Sequence, residues 1–215
     1  MTRTILTAGA CGILLSLVSI QPAAAQQNDT GWKLKLNGIA AQPLVSTGGD
    51  PAYGVGVGVE YRASRRLGVE LSASTAEIED EFTFGFFDDS VTIGTSLRTT
   101  PVLAQLNVHL TPDCRADLYL GPVAGRVMYG DFDVTVHSSI DGETETVRGS
   151  VKTGDDWAWG AHIGVDVPVG DRGLFFTAGA TWLMTEVEIE DPEEGGTFSS
   201  GLDPLIAQIG FGYRF

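Results

Sequence analysis

The sequence has few of the residues that usually cross-link a small exported domain or equip an enzyme. Its 215 residues include two cysteines and three histidines. Cys11 lies in an N-terminal apolar segment, which leaves Cys114 as the only cysteine of the remaining chain, and one thiol cannot form an internal disulfide. The cysteines and histidines also lack metal-ligand spacing. We therefore expect a fold held by its own packing, with no cofactor and no metal.

Basic residues are also scarce. Lys and Arg number 13 against 28 Asp and Glu, which gives a formal net charge of −15. A protein that binds nucleic acid needs a basic patch to contact phosphates. The charge balance therefore excludes nucleic acid as a partner.

Long apolar runs are absent outside the N-terminus. The segment MTRTILTAGACGILLSLVSIQPAAAQQ has an early Arg3, a short apolar run and three alanines ending at Ala25. A membrane-spanning helix needs about 20 apolar residues, so this run predicts a secretory signal peptide, residues 1–25, that is cleaved. Ala8 stands where a lipoprotein signal needs Leu before Cys11. Residues 26–215 are then expected to form one domain.

The remaining chain shows almost no helical periodicity but many apolar–polar alternations, which are typical of half-buried strands. The eight predicted strands cover residues 32–42, 52–63, 67–78, 99–110, 117–130, 155–167, 173–189 and 202–215. Most are long enough to cross a bilayer, which takes about 9–11 tilted residues. Short connections between these strands alternate with long ones. The long connections cover residues 43–51, 79–98, 131–154 and 190–201. The pattern predicts an all-β fold, an eight-stranded antiparallel transmembrane up-and-down β-barrel of the outer-membrane type.

The alternation also assigns the two faces of most strands. In YGVGVGVEYRA, from Tyr53, the apolar residues point one way and the Gly and charged residues the other. The apolar face carries aromatics near strand ends, as in interfacial girdles, so we assign it to lipid. The fifth and seventh strands are apolar on both faces, and their direction stays open. The residues expected to form a closed polar network inside the lower, periplasmic barrel, with an ion path as the alternative, are Lys33, Lys35, Glu60, Arg62, Glu70, His109, His162, Asp166 and Arg214.

The C-terminal strand ends in QIGFGYRF. Gln208, Gly210, Tyr213 and Phe215 follow a polar-x-Gly-x-x-apolar-x-aromatic pattern that closes bacterial outer-membrane barrels. We therefore expect the barrel assembly machinery to read this strand, and outer-membrane lipid to surround the barrel. Both termini of the mature chain would be periplasmic and the long loops extracellular, in a Gram-negative cell.

Several segments in order resemble the outer-membrane protein W (OmpW) family. TPVLAQLNVHLTP at 100–112 is similar to that family's fourth strand and turn, and LYLGPVAG at 118–125 to its fifth strand. WGAHIGVDVPVGDRGLFFTAGATWL at 159–183 resembles the sixth and seventh strands, and LDPLIAQIGFGYRF the last. The resemblance implies an outer-membrane barrel that passes or binds small hydrophobic molecules, through an apolar lumen and a lateral opening toward lipid. Alternatives are a structural, adhesion or phage/colicin-receptor barrel without transport.

The predicted extracellular loops carry the remaining candidates. EDEFTFGFFDD at 79–89 places Phe82, Phe84, Phe86 and Phe87 between acids, where they could cap the mouth, enter the outer leaflet or contact apolar cargo. The alternative is that the segment continues the hairpin and packs on itself. Most of the other acids crowd the same end. We interpret them as a solvated crown, with divalent-cation binding as the alternative.

An enzymatic function has one candidate pair. His137 and Ser138 lie near acids, as a lipid hydrolase would need. Neighbouring residues of an extended strand point to opposite faces, so we expect no catalysis.

Overall fold

The computed structural model describes residues 30–43, 51–86, 89–140, 143–190, 197–201 and 203–215. The predicted signal peptide, 1–25, and Phe87 lie outside these residues. The described chain contains twelve strands: β1 (Gly31–Pro43), β2 (Ala52–Arg62), β3 (Leu67–Phe86), β4 (Asp89–His109), β5 (Asp117–Ile140), β6 (Glu143–Val151), β7 (Thr153–Gly154), β8 (Asp156–Pro168), β9 (Leu174–Met184), β10 (Glu186–Glu190), β11 (Thr197–Gly201) and β12 (Pro204–Arg214). None of the described residues forms a helix with the length and hydrophobicity that a membrane span requires.

Eight of the strands close into an antiparallel barrel. The order runs β4-β3-β2-β1-β12-β9-β8-β5, and β4 pairs again with β5. β1 pairs with β12 from Lys33 opposite Arg214 to Pro43 opposite Pro204, and the Phe215 N–H donates to the Trp32 carbonyl at 3.0 Å. The predicted fold is confirmed, and the C-terminal strand is ordered because it closes the barrel against the first strand.

Two of the predicted long loops are wrong, and Thr197–Gly201 of a third, 190–201, forms β11. The alternative that the Phe-rich segment continues the hairpin is confirmed. β3 continues to Phe86 and β4 returns from Asp89, so most of 79–98 is a hairpin. β5 likewise continues to Ile140 and pairs with β6, which replaces most of the predicted loop 131–154. Alternation of Val, Ile, Thr and Phe persists in these segments, and such residues favour strands even where acids lie between them. The barrel wall therefore extends as hairpins beyond the span that the sequence predicted.

The outer surface of the barrel is apolar. The aromatic side chains that the alternation assigned to the lipid girdles are all exposed: Trp32, Tyr53, Tyr61, Trp157, Trp182, Tyr213 and Phe215. Val55, Val57 and Leu71 between them are also exposed. A water-soluble barrel would bury such side chains, whereas a bilayer solvates them.

The structure sets the direction of the two strands that were apolar on both faces. In β5, Tyr119 and Val123 point into the barrel, and in β9 Phe175 does so. The neighbouring strands make room for both rings, because a Cβ on Gly164, which pairs with Tyr119, would lie 2.5 Å from the Tyr119 ring. Gly212 likewise leaves the space that the Phe175 ring fills.

Candidate functional site

The lower interior of the barrel holds a dense network of buried ion pairs. Lys33 Nζ lies 2.7 Å from Asp166 Oδ2 and 3.1 Å from Glu60 Oε2. Lys35 Nζ lies 2.7 Å from Glu70 Oε2 and 3.4 Å from Glu60 Oε2. These five side chains have at most 2% of their surface exposed. Adjacent inward positions of β1 thus place two ammonium groups among three carboxylates supplied by β2, β3 and β8.

A second group of charges extends the network toward the short turns. Glu60 Oε1 is 2.8 Å from His109 Nε2, and His109 Nδ1 is 3.0 Å from Asp117 Oδ2. Arg62 Nη1 also contacts Asp117 Oδ2, at 3.0 Å. Asp117 was not among the predicted site residues. It begins β5, whose inward face the alternation did not identify.

Neutral side chains complete the network. Tyr119 accepts a 3.0 Å hydrogen bond from Lys35 Nζ, and its hydroxyl lies 3.4 Å from Asp166 Oδ1. The amide of Asn107 donates to Glu70 at 3.0 Å. Tyr119 is completely buried and is the largest of the fully buried side chains. The network therefore fills the interior with bulk as well as with charge.

Two predicted members of the network lie at its edges. His162 is buried, but its Nδ1 pairs with the Thr181 hydroxyl at 2.7 Å rather than with a carboxylate. Its ring lies 5.6 Å from the Tyr119 ring. Arg214 is the last residue of β12 and lies opposite Lys33 in the β1–β12 register.

Glycines on the inner wall provide the space for this network. A Cβ on Gly58 would lie 2.8 Å from Glu70 Oε1, and one on Gly68 would overlap the Glu60 carboxylate. The polar–Gly alternation of the sequence thus admits long charged side chains from the neighbouring strand. The lower interior is closed by a packed, internally neutralised plug, which we call the polar plug.

The upper interior is apolar. Its buried side chains come from all eight barrel strands and pack together: Ile39, Ala41, Ala52, Ala76, Leu97, Leu103, Val123, Val127, Tyr129, Ala158, Leu183 and Ile206. Ile78 and Phe132 pack against this cluster from the extended part of the wall. The interior thus changes from charged to apolar at about the middle of the barrel.

A cavity lies where the apolar interior meets the polar plug. It is small, with a volume of about 20 Å³ that admits one water-sized or hydroxyl-sized group. The lining residues are Asn37, Ile39, Gly56, Val57, Ser72, Ala73, Ser74, Leu103, Gln105, Thr181, Ile206 and Gln208. We call this space the junction cavity.

The β3–β4 ladder lacks two cross-strand pairs beside the junction cavity. β3 and β4 pair continuously from Leu67 to Ala73, and their pairing resumes at Ala76 opposite Thr99. The register leaves Ser74 opposite Pro101 and Thr75 opposite Thr100. Proline has no N–H to donate across a sheet and is rarely tolerated in an interior strand. Two threonine hydroxyls at 3.4 Å, those of Thr75 and Thr100, are the contact that remains there.

The Phe-rich segment lies on the extended β3–β4 hairpin. The rings of Phe82 and Phe84 meet edge to face with centroids 4.3 Å apart, and both are at least half exposed. Phe82 stands opposite Ile93, and Phe84 opposite Val91. Phe86 is in β3, but its side chain is outside the described part of the structure. Because the inward positions of β3 alternate, these rings continue the face that carries Ile78.

His137 and Ser138, the predicted candidate pair, lie on the extended part of β5. His137 pairs with the hydroxyl of Thr146 at 2.9 Å, and its cross-strand neighbours differ from those of Ser138. The two side chains therefore point to opposite faces of β5. Within the described chain no group of three or more His, Cys, Asp or Glu side chains is arranged to hold a metal ion.

Comparisons with known proteins agree with this architecture. Residues 11–215 match the family described as "Outer membrane protein beta-barrel domain". The crystal structure of OprG from Pseudomonas aeruginosa superposes with a TM-score of 0.58 at 18% identity, over 86% of this chain and 96% of OprG. The solid-state NMR structure of AlkL in DMPC lipid bilayers superposes with a TM-score of 0.53 at 16% identity, over 100% of this chain and 97% of AlkL. No curated protein sequence matches. The chain belongs to the outer membrane protein beta-barrel domain family and is an outer-membrane β-barrel.

Proposed function

We propose that this barrel binds small hydrophobic molecules at its extracellular end and passes them sideways into the membrane, as an OmpW-like protein. The observation that carries the proposal is the arrangement of the interior. An apolar upper half stands directly on a closed polar plug, and the β3–β4 ladder lacks two cross-strand pairs at the level where the two meet.

The polar plug argues against passage of ions or polar solutes straight through the barrel. Lys33, Glu60 and Asp166 are buried, and both carboxylates pair with Lys33. Removing one partner of such a pair costs about 3–5 kcal/mol, because an uncompensated charge remains buried. A solute moving along the axis would have to separate several of these contacts at once.

We propose that an apolar solute follows a route that leaves the ion pairs of the polar plug intact. The exposed rings of Phe82 and Phe84 offer a first contact at the mouth, and an exposed aromatic patch of this kind commonly marks a binding surface. Leu97 and Val127 lie farther inside. At the junction cavity the solute reaches Ser74, where Pro101 weakens the β3–β4 ladder. Separation of these strands would expose it to lipid.

The same arrangement sets the orientation that we propose. The short turns and both described ends of the chain lie at the end with the polar plug, and the extended hairpins lie at the opposite end. In outer-membrane barrels short turns are periplasmic and long connections extracellular. The proposed partners are therefore outer-membrane lipid, the barrel assembly machinery acting on the strand from Gln208 to Phe215, and small hydrophobic solutes. We propose no covalent chemistry.

One observation favours a second candidate function, that of a receptor or adhesion barrel. The face of the extended hairpin that carries Phe82 and Phe84 is apolar and exposed, and a macromolecule could use it. Under this alternative, Phe82→Ser/Phe84→Ser would abolish attachment and leave solute uptake unchanged.

The test is uptake of an apolar fluorescent solute into proteoliposomes that hold the folded barrel. We expect faster uptake than into empty liposomes. Ala76→Phe fills the upper interior, where Ala76 is 4% exposed, and should slow uptake. Ala180→Phe is the matched control, because Ala180 faces away from the interior on β9. Equal uptake into wild-type and empty liposomes would contradict the transport function.

A further inference from the structure

Two acceptor atoms in the junction cavity have no hydrogen-bond partner. Asn37 and Gln105 are 6% and 4% exposed, and both side chains line the cavity. Their carbonyl oxygens, Asn37 Oδ1 and Gln105 Oε1, are buried without a donor. A buried acceptor without a partner costs about 1–3 kcal/mol and calls for an explanation in a native structure.

The opposite ends of the same two amides are occupied. Asn37 Nδ2 donates to Gln208 Oε1 at 3.4 Å, and Gln105 Nε2 donates to the Ser72 hydroxyl at 3.1 Å. Because the amide nitrogens make these bonds, the carbonyl oxygens of Asn37 and Gln105 remain as acceptors. Asn37 Oδ1 lies against Gly210 of β12, where a Cβ would come within 2.5 Å of it.

The rest of the lining is uncharged. Ser72, Thr181 and Gln208 are neutral polar residues, and Ile39 and Leu103 are apolar. The nearest charges of the described interior, Lys35 and Glu70, are paired with each other at 2.7 Å. A charged head group entering this cavity would lose its hydration without gaining a counter-ion, which is costly.

We propose that the junction cavity is a head-group site that selects apolar molecules bearing a neutral hydrogen-bond donor, the simplest class being long-chain or aromatic alcohols. The inference deepens the proposed function and rests on it. The hydroxyl donates to Gln105 Oε1 or Asn37 Oδ1, while the hydrocarbon occupies the apolar side formed by Leu103, Ile39 and Ile206. Carboxylates are excluded twice, because they offer no donor to these oxygens and would lose their hydration without gaining a counter-ion.

The expected preference follows from a single hydrogen bond. One such bond contributes roughly 1 kcal/mol net, which corresponds to about a fivefold change in the dissociation constant. An alcohol should therefore bind about fivefold more tightly than an ether of the same length, which accepts but cannot donate.

The experiment is a solution NMR titration of the complete folded barrel in lipid nanodiscs. The probes are decane, 1-decanol, decyl methyl ether and decanoate, each compared at equal mole fraction in the membrane. The side-chain amide signals of Asn37 and Gln105 report on the acceptors, and the backbone amide of Leu103 reports on the apolar side. We expect all neutral probes to shift Leu103, 1-decanol to bind about fivefold more tightly than the ether, and decanoate to bind most weakly.

Isosteric variants identify the acceptors. Gln105→Met and Asn37→Leu should each bring the alcohol-to-ether ratio toward one without weakening decane binding. Gln42→Met makes the same substitution on the exposed outer face of β1 and should leave the ratio unchanged. If a variant does not fold, the alcohol-to-ether binding ratio of the wild-type barrel still tests the head-group site, because a ratio of one would contradict it.

The outcomes separate this inference from the proposed function. Equal binding of alcohol and ether, or a ratio unaffected by both substitutions in folded barrels, overturns the head-group site and leaves hydrophobic binding intact. Absence of any shift at Leu103 with decane overturns the proposed function and the head-group site together.

Discussion

Glu60 gives the sharpest test of the polar plug. Its carboxylate is fully buried and contacts Lys33 at 3.1 Å, Lys35 at 3.4 Å and His109 at 2.8 Å. Glu60→Gln keeps the shape of the side chain and removes the charge. The substitution therefore tests electrostatics at the centre of the network with little change in packing.

The magnitude follows from the contacts that remain. Breaking a buried ion pair costs about 3–5 kcal/mol. In Glu60→Gln each ammonium keeps one carboxylate, since Lys33 stays 2.7 Å from Asp166 and Lys35 stays 2.7 Å from Glu70. We therefore expect the low end of the range, a loss of about 3 kcal/mol in the free energy of unfolding.

The assay is urea unfolding of the barrel in lipid vesicles, followed by tryptophan fluorescence. Glu77→Gln is the matched control, because Glu77 pairs with Arg98 at 3.4 Å with both side chains largely exposed. An exposed pair contributes about 0.5 kcal/mol or less. If Glu60→Gln costs no more than Glu77→Gln, the network does not act as a mutually dependent plug.

Three further predictions follow from other contacts. Gly164→Ala should lower the free energy of unfolding by about 1–3 kcal/mol, measured by the same urea titration, because its Cβ would overpack the Tyr119 ring at 2.5 Å. Phe175→Ala should cost about 3–5 kcal/mol in that assay, since the ring is 3% exposed and leaves a cavity; a loss below 1 kcal/mol would mean that the site collapses. Phe215→Ala should reduce the amount of folded barrel in the outer membrane in cells, yet leave the in vitro unfolding free energy nearly unchanged, because the ring is 73% exposed. Equal losses in both assays would show that Phe215 acts through stability and not through assembly.

The sequence predicted the architecture well because the two solvents of this barrel differ so strongly. In β2 and β8 lipid outside and a polar plug inside impose strict alternation, so the faces of Val57 and Trp157 could be assigned directly. The same rule gave no direction for β5 and β9. Tyr119 and Phe175 are large apolar rings on the inside, and they fit because Gly164 and Gly212 lie on neighbouring strands, which alternation within one strand does not reveal.

The candidate site was predictable as a set of residues but not as a set of contacts. Charges at inward positions of strands had to pair inside a closed barrel. Which charge meets which depends on barrel closure, as in the contact between Lys33 and Asp166, which are 133 residues apart. The two missing pairs of the β3–β4 ladder likewise required the register that places Pro101 opposite Ser74.

The extended hairpins show where acidic composition misled the prediction. Glu79, Glu81 and Asp133 suggested solvated loops, but the residues between them keep the alternation of a strand. Their charged side chains lie on the face opposite to that of Phe82, so the hairpins are polar on one side and apolar on the other. This arrangement places an apolar surface above the upper interior without exposing it on both sides.

The central claim, that apolar solutes leave through the wall above a closed plug, is tested most directly by locking that wall. Thr75→Cys/Thr100→Cys, in a Cys114→Ser background, is designed to join β3 to β4 where the two hydroxyls now lie 3.4 Å apart. The control is Ala180→Cys/Ala207→Cys, which joins β9 to β12 at a paired position of a continuous ladder. We predict that oxidation of the first pair reduces uptake into proteoliposomes to the level of empty liposomes, that reduction restores it, and that the control pair changes neither rate. Uptake that is equally fast with the β3–β4 wall oxidised and reduced would contradict the account.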